Sequence, residues 1–595
     1  MDVTTTTDDT VATTSQSSAF LNHPTGVAKY NGISAAGATV ASVEAYPPAG
    51  EPGVPTRQAP ATSPGDLANA RPAQPSLNGN GLIDGAEKIA IARDHLIFKS
   101  DSGINTSHSC HRCIRRSNEE VIVTHSEASV IVSWDGISDK ECPRNWSFGR
   151  KSLITFSTSL LVFIVSFGSS IFAPAGPALV SEFGTSFTVS RLSVSLWILG
   201  FNVISGPISD IWGNQIALAI SMLGLCLFQL PAALATNIQT TLISRFVSGI
   251  FSSGISIITP RIYTDLYSPL SRSIALTISI TALHLGTTTA PITAAYLLDS
   301  ALSSSPPWRW LSWLTLLLAA PLSLLAIPLA IPETSTPLLL RRKARHLRLR
   351  TGNWALHAQS EESPTMQPRL LIQTYFSKPL RMFTDPLLLF FTLYTGLVYG
   401  VMYLVLYAIP LSFQTRGWDT PTSHLPLLAV ALGGAVAGGT ATVLFLGVFT
   451  FWRRGFGAEP APERRILPAM VAGSVVLPVG MVWFGWTGDT HWMVQIVGIV
   501  FVGGGSVLVL VAGMVYLLEV YGVHAESAMV GHLAVRNAVA ASFPVWVGPV
   551  YEAVGVGWAS SAVAAGCLVM VPVLLGFVLY GKRIREGGRY GLSLE

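Results

Sequence analysis

The stretch GPISDIWGNQ, residues 206–215, decides how the rest of the chain is read. It is a polar break between two long apolar runs, about 190–209 and 216–235. Each run has close to the ~20 residues that carry an α-helix across a hydrocarbon core of ~30 Å. Gly206 and Pro207 close the first run, and Gly213 permits a backbone turn that a side chain would crowd. Asp210 is placed to accept hydrogen bonds from the amides at the next helix start, where negative charge is favoured.

Outward from this break the same alternation recurs. Runs at about 153–175, 240–262, 273–298 and 311–331 complete a first set of six spans. Six more follow near 386–410, 425–451, 466–486, 491–518, 527–548 and 557–580. Half of the 595 residues are hydrophobic and only 12% are charged, against about a quarter charged in soluble domains. Mean hydropathy is +0.48 even with a long polar tail included. The expected fold class is therefore all-α and polytopic, with twelve transmembrane helices in two six-helix bundles and the lipid bilayer as partner.

Charge placement orients the spans. Predicted cytoplasmic loops carry Arg261, Arg272, the Arg341–Arg350 cluster, Lys378, Arg381, Arg453, Arg454, Arg464 and Arg465, and the C-terminal tail adds Lys582, Arg583 and Arg585. Predicted outer loops carry only Arg191, Arg309 and Arg416. Positive charge concentrates on the cytoplasmic side, which places both ends inside. The net charge of +4 sits in short loops, so no nucleic-acid partner is expected.

Five regions follow: residues 1–133, 134–331, 332–385, 386–581 and 582–595. The first is a Ser/Thr/Pro-rich cytoplasmic tail with too few large apolar groups to offset its ordering entropy, and it is expected to be disordered. The second and fourth are the helical bundles, the third is a basic cytoplasmic loop, and the last is a short cytoplasmic tail. HSCHRC, residues 108–113, is too compressed for a zinc finger and has no second pair, so no metal site is expected. Five scattered cysteines give no disulfide framework. The glycosylation patterns at Asn105 and Asn145 precede the first span on the cytoplasmic side and are expected to stay unused. No G-x-x-x-x-G-K-[ST] loop, no H-E-x-x-H and no cluster of acids and histidines within a span supports an enzyme or a nucleotide-driven pump. Two matched halves with a substrate path between them, rocking between two openings, are the expected physics.

The pattern G-x-x-x-D-x-x-G made by Gly206, Asp210 and Gly213 resembles the loop signature of the major facilitator superfamily, with Asn214 and Gln215 where that family usually has two basic residues. From Trp134 to Arg585 the chain is similar to the fungal twelve-span drug:proton antiporter branch, near its polyamine-transporter-like members. The resemblance rests on WDG at 134–136 with NW at 145–146, PETSTPLLLRRKARHLR at 332–348, and KPLRMFTDP at 378–386. YTGLVYGVMY at 394–403, PERR at 462–465, YEAVGVGWA at 551–559 and YGKRIR at 580–585 complete it. It implies the major facilitator fold and a secondary active transporter. The expected activity is proton-coupled efflux of a drug or secondary metabolite by alternating access, with a proton gradient and no bound cofactor. A monomer in the plasma membrane is expected, with the vacuolar membrane as alternative. The alternative activity is facilitated transport or import of polyamines or another small metabolite.

Several residues are candidates for mechanism. Arg245, with Gly249 and Gly254, lies inside the fourth span, where a cation is costly and by default functional. The resemblance implies a role in coupling; pairing with backbone carbonyls or snorkelling are the other readings. Gly286, Ala290 and Pro291 in the fifth span occupy the place of the branch's antiporter signature, although three of its glycine positions are alanine; Gly286 and Pro291 there, and Gly249 in the fourth span, would let helices approach and bend. Tyr399, Tyr403 and Tyr407 recur every four residues and share one face, which suits a cavity wall or helix packing. Polyamine-type members often place a glutamate where Tyr407 stands, so its absence argues against a polycation. His284, midway along the fifth span, is a candidate proton relay or a packing residue. Asp210, Asp265, Asp385 and Glu519 fall near cytoplasmic span ends, and Asp299 and Glu552 near outer ends.

Overall fold

Apolar runs long enough to cross a bilayer fold as helices, because no other open structure satisfies every backbone group in hydrocarbon. The computed structural model describes residues 125–126, 129–136, 138–200, 205–300, 306–362, 373–456 and 460–587. The tail through residue 124, with the HSCHRC motif and Asn105, lies outside them. In the first half the spanning helices are α1 (Phe148–Ser170), α2 (the pair Phe187–Leu199 and Ser205–Trp212), α3 (Asn214–Ala233), α4 (Ile238–Leu266), α5 (Pro269–Asp299) and α6 (Arg309–Ala330). In the second they are α7 (Pro386–Gln414), α8 (Leu427–Phe456), α9 (Pro462–Trp486), α10 (Trp492–Tyr521), α11 (Ala525–Val554) and α12 (Val556–Gly587). Among the described residues ten helices are long and apolar enough to span by composition. The other two positions belong to α2, in two shorter pieces, and to α11, whose Glu526, His532 and Arg536 dilute its hydropathy.

Packing repeats with an offset of six. Helix α1 packs on α5 as α7 packs on α11, and α2 on α4 as α8 on α10. Helix α4 holds α3 as α10 holds α9, and α6 lies on α3 as α12 lies on α9. The halves meet along two seams, α5 against α8 and α2 against α11, and exchanging the halves maps one seam onto the other. This is the arrangement of parallel repeats about an axis along the membrane normal.

Two expectations change. Helix continues through Gly206 and Pro207 to Trp212, so the polar break narrows to Gly213, whose φ of +99° only glycine adopts readily. The region before the first span is also partly ordered: Ser129–Ile131 (β2) pairs antiparallel with His125–Ser126 (β1) and parallel with Leu356–His357 (β3). Within the central loop, Thr336–Thr351 forms a helix against this sheet. Val132, Ala344, Leu356 and Ala358 bury a small apolar cluster there, and Lys343 pairs with Asp135 at 2.8 Å and Asp139 at 3.0 Å.

Candidate functional site

At the cytoplasmic end of the first bundle, the positive φ at Gly213 starts α3 with its amides exposed. The acid that meets them is Glu333, not Asp210 as expected. Asn214 N donates to Glu333 at 3.0 Å and Gln215 N at 3.4 Å, and Glu333 also accepts from the amides of Thr334 and Ser335. A Cβ on Gly213 would lie 2.0 Å from that carboxylate. Asn214 is fully buried and donates to Asp265 at 3.3 Å and Thr334 at 2.9 Å, so an amide fills the place where the family usually has a base.

Asp210 instead joins the halves. It pairs with Arg261 of α4, which pairs at 2.5 Å with Glu526 of α11. Tyr375, just ahead of α7, donates to Asp210 and also reaches Glu526 at 2.8 Å. Burial and the two carboxylates raise the Tyr375 phenol well above its ordinary pKa, so it stays protonated as a donor. A Cβ on Gly206 would lie 2.1 Å from the Tyr375 ring, which makes that glycine a seat for the tyrosine. Arg261, expected in a cytoplasmic loop, lies on α4, and nothing local in the sequence marks Glu526 or Tyr375 as its partners.

Arg245 is fully buried and does not snorkel. Its Nη1 donates to Gly168 O at 2.8 Å, Nη2 to Ser169 O at 2.9 Å and Nε to Ser193 O at 3.0 Å. The guanidinium lies 4.3 Å from the Phe172 ring and 4.4 Å from that of Trp197. Gly249 allows this approach: a Cβ there would lie 2.2 Å from Trp197 O. Likewise a Cβ on Gly286 would lie 2.3 Å from Phe163 O, so α1 and α5 touch backbone to backbone. Pro291 is buried in α5, which is helical from Pro269 to Asp299.

His284 stands in the α5–α8 seam. One ring nitrogen faces Val430 O at 3.4 Å, the other has no partner, and a Cβ on Gly434 would meet the ring at 2.4 Å. It lies outside the cavity between the bundles. That cavity is lined by Val162, Ser256, Leu283, Leu510 and Met514 among others, with Tyr399 and Arg536. Its volume is about 40 Å³, too small in this arrangement for an organic substrate, because small-molecule pockets run from about 300 Å³. Of the tyrosine row only Tyr399 reaches this wall. Tyr403 bonds Ser169 of α1 at 2.8 Å, and Tyr407 lies beside Arg191, with its hydroxyl unpartnered. Arg191, expected in an outer loop, is on α2 and packs against Gly548 of α11.

Comparison with known proteins settles what this architecture is. The family model described as "Major Facilitator Superfamily" matches residues 158–545. The chain belongs to that superfamily. A relative in Didymella fabae, the "Ascochitine biosynthesis cluster MFS transporter", is 36% identical over 84% of this chain and 98% of its own. The citrinin biosynthesis cluster transporter mrr1 of Monascus ruber is 34% identical over 77% of this chain and 92% of its own. The multidrug transporter FLU1 of Candida albicans is 31% identical over 78% of this chain and 77% of its own. Among solved structures, the proton:xylose symporter XylE bound to 6-bromo-6-deoxy-D-glucose superposes with a TM-score of 0.54, at 15% identity, over 73% of this chain and 97% of its own. At that identity the likeness concerns the fold alone. This superfamily member is a multi-pass membrane protein and a secondary transporter of small organic molecules, not an enzyme.

Proposed function

We propose that this transporter exports a drug-like or secondary-metabolite molecule from the cytoplasm in exchange for protons, as a monomer in the plasma membrane. The observation that carries the reading is the cytoplasmic latch. Asp210 and Glu526 share Arg261 and Tyr375 across the two halves, where water reaches them. Protonation of either carboxylate weakens the hold on Arg261, so proton occupancy biases which face opens. Relatives named for biosynthesis clusters and multidrug transport support export of a small organic product. A polyamine importer is disfavoured, because among the described residues the wall carries an arginine and no carboxylate.

The test uses a growth-inhibitory compound chosen by comparing deletion and overexpressing strains. Its uptake is followed in inside-out plasma-membrane vesicles with an acid interior. Uptake that collapses when nigericin removes the pH gradient is expected. Uptake indifferent to the gradient would overturn proton exchange, and accumulation by intact overexpressing cells would overturn export.

A further inference from the structure

We infer that the cavity between the bundles is an anion site, in which the Arg536 guanidinium receives the carboxylate or phenolate of an organic acid. This names the substrate class and rests on the reading of the chain as a transporter with its path between the halves.

Arg536 stands eleven residues into α11 from its cytoplasmic start at Ala525. At 1.5 Å per residue that is about 16 Å, the middle of a ~30 Å hydrocarbon core. A cation at this depth needs compensation. The other buried arginines have it. Arg245 places all its donor groups on carbonyl oxygens, Arg465 pairs with Glu519, and Arg585 pairs with Glu463. Arg536 has none of this kind. Its Nε and Nη2 donate to Asn537 Oδ1 at 3.4 and 3.2 Å, and its guanidinium lies 4.3 Å from the Tyr399 ring. Among the described residues no carboxylate pairs with it. Nη1 has no hydrogen-bond partner there either.

The wall around it completes the argument. Among the described residues lining the cavity, Arg536 is the only charged one. A guanidinium fork in a weakly polar site attracts an oxyanion strongly and binds a carboxylate through two parallel bonds. The same fixed charge repels an ammonium, and no acid offsets it. Leu283, Leu510, Met514 and the face of Tyr399 give an apolar or aromatic body a surface to lie on. Ser256 supplies a hydroxyl from the opposite bundle. As the halves part, the cavity widens around the same groups.

The probe is tritiated 1-naphthoate, bound to the full chain in nanodiscs, with 1-naphthamide and 1-naphthylmethylamine as neutral and cationic competitors of the same shape. In the wild type the amide and the amine are expected to need at least about tenfold higher concentrations to displace the acid, the strength of one charge-assisted hydrogen bond. Arg536→Gln is expected to lose this preference, and Arg536→Lys to keep much of it. A wild type that binds the three alike, binds the amine or amide better, or binds none overturns the inference, whatever the variants' folding. An Arg536→Gln protein with the full preference also overturns it. Neither a gradient nor a direction enters the measurement, so its outcome is separable from the outcome of the proton-exchange experiment.

Discussion

Replacing Arg245 by alanine is expected to destabilise the first bundle, because this arginine works as a brace. Helix α1 ends at Ser170, so the carbonyls of Gly168 and Ser169 are among the last four, which have no partner within the helix. Arg245 caps both and ties them to Ser193 O of α2. Bonds from a charged donor are worth about 1.5–3 kcal/mol each in soluble proteins, but side-chain bonds between membrane helices average about 0.6 kcal/mol. Three bonds therefore span about 2 to 9 kcal/mol, and losing the stack between Phe172 and Trp197 adds about 1 kcal/mol or more. A central expectation is on the order of 4 kcal/mol. At ~2–4 °C per kcal/mol this lowers the midpoint of thermal unfolding by roughly 8–16 °C. Tryptophan fluorescence of the purified protein in detergent reads it. Arg245→Lys recovers less than half, since an ammonium cannot present the planar fork that spans three carbonyls. An Arg245→Ala protein that melts within about 2 °C of wild type yet no longer transports would refute the brace and restore the coupling role that the fourth-span position implies.

Tyr375→Phe removes the single phenolic proton that Asp210 and Glu526 share in the cytoplasmic latch. A hydrogen bond to a charged acceptor is worth about 1.5 kcal/mol, so the inward-open population rises on the order of tenfold. Maleimide labelling of Ser256→Cys in inside-out vesicles should speed up by that factor, and unchanged labelling would remove Tyr375 from the latch. In the small cytoplasmic sheet, the Glu362 carboxylate at 2.7 Å and the Ala355 carbonyl raise the His357 pKa above 6.5. A raised folded-state pKa contributes stability that is fully present below the unfolded value and is lost as pH rises through the folded one. Wild type and His357→Gln should therefore differ most in protease nicking of this segment near about pH 5.5 and converge by about pH 9. A difference that grew with pH would reverse the assignment.

The spans were legible because a run of 18 or more apolar residues has few alternatives to a membrane helix. Partners at long range were not. Asn214 meets Glu333 across 119 residues, and nothing local to PETST marks its glutamate as the acid for a helix start far upstream. Asp210 was placed at the right level but given the wrong partner, since Arg261 and Tyr375 come from α4 and the central loop. His284 was chosen for its depth, but depth does not say which face it occupies, and it faces a seam. Arg536 is different. The cost argument that marks Arg245 applies equally to an arginine within the run 527–548, so Arg536 carries the same signal in the sequence.

The same exchange of halves that relates the seams also relates the contacts that must break during transport. Arg261 of α4 pairs with Glu526 of α11, while Glu519 of α10 faces Arg272 of α5 at 3.9 Å and accepts from Ser273 at 3.3 Å. Shifting by six turns one arm into the other with its charges reversed. Toward the outside, the crossing contacts are the Ser169–Tyr403 hydroxyl pair and Arg191 over Tyr407. In the Arg261 arm the side chains are 22–35% exposed, so its ion pairs are screened and contribute about 0–1 kcal/mol each. A hydroxyl pair contributes about 0.5–1.5 kcal/mol. The Arg261 ion pairs and the Ser169–Tyr403 bond are thus each worth only about 1 kcal/mol, so breaking these particular contacts costs little on either side. The two gates differ in kind rather than strength. Among the crossing contacts of the described residues, the inner ones use carboxylates that a proton can neutralise and the Ser169–Tyr403 and Arg191–Tyr407 contacts do not, so the proposed proton exchange would act at the inner gate.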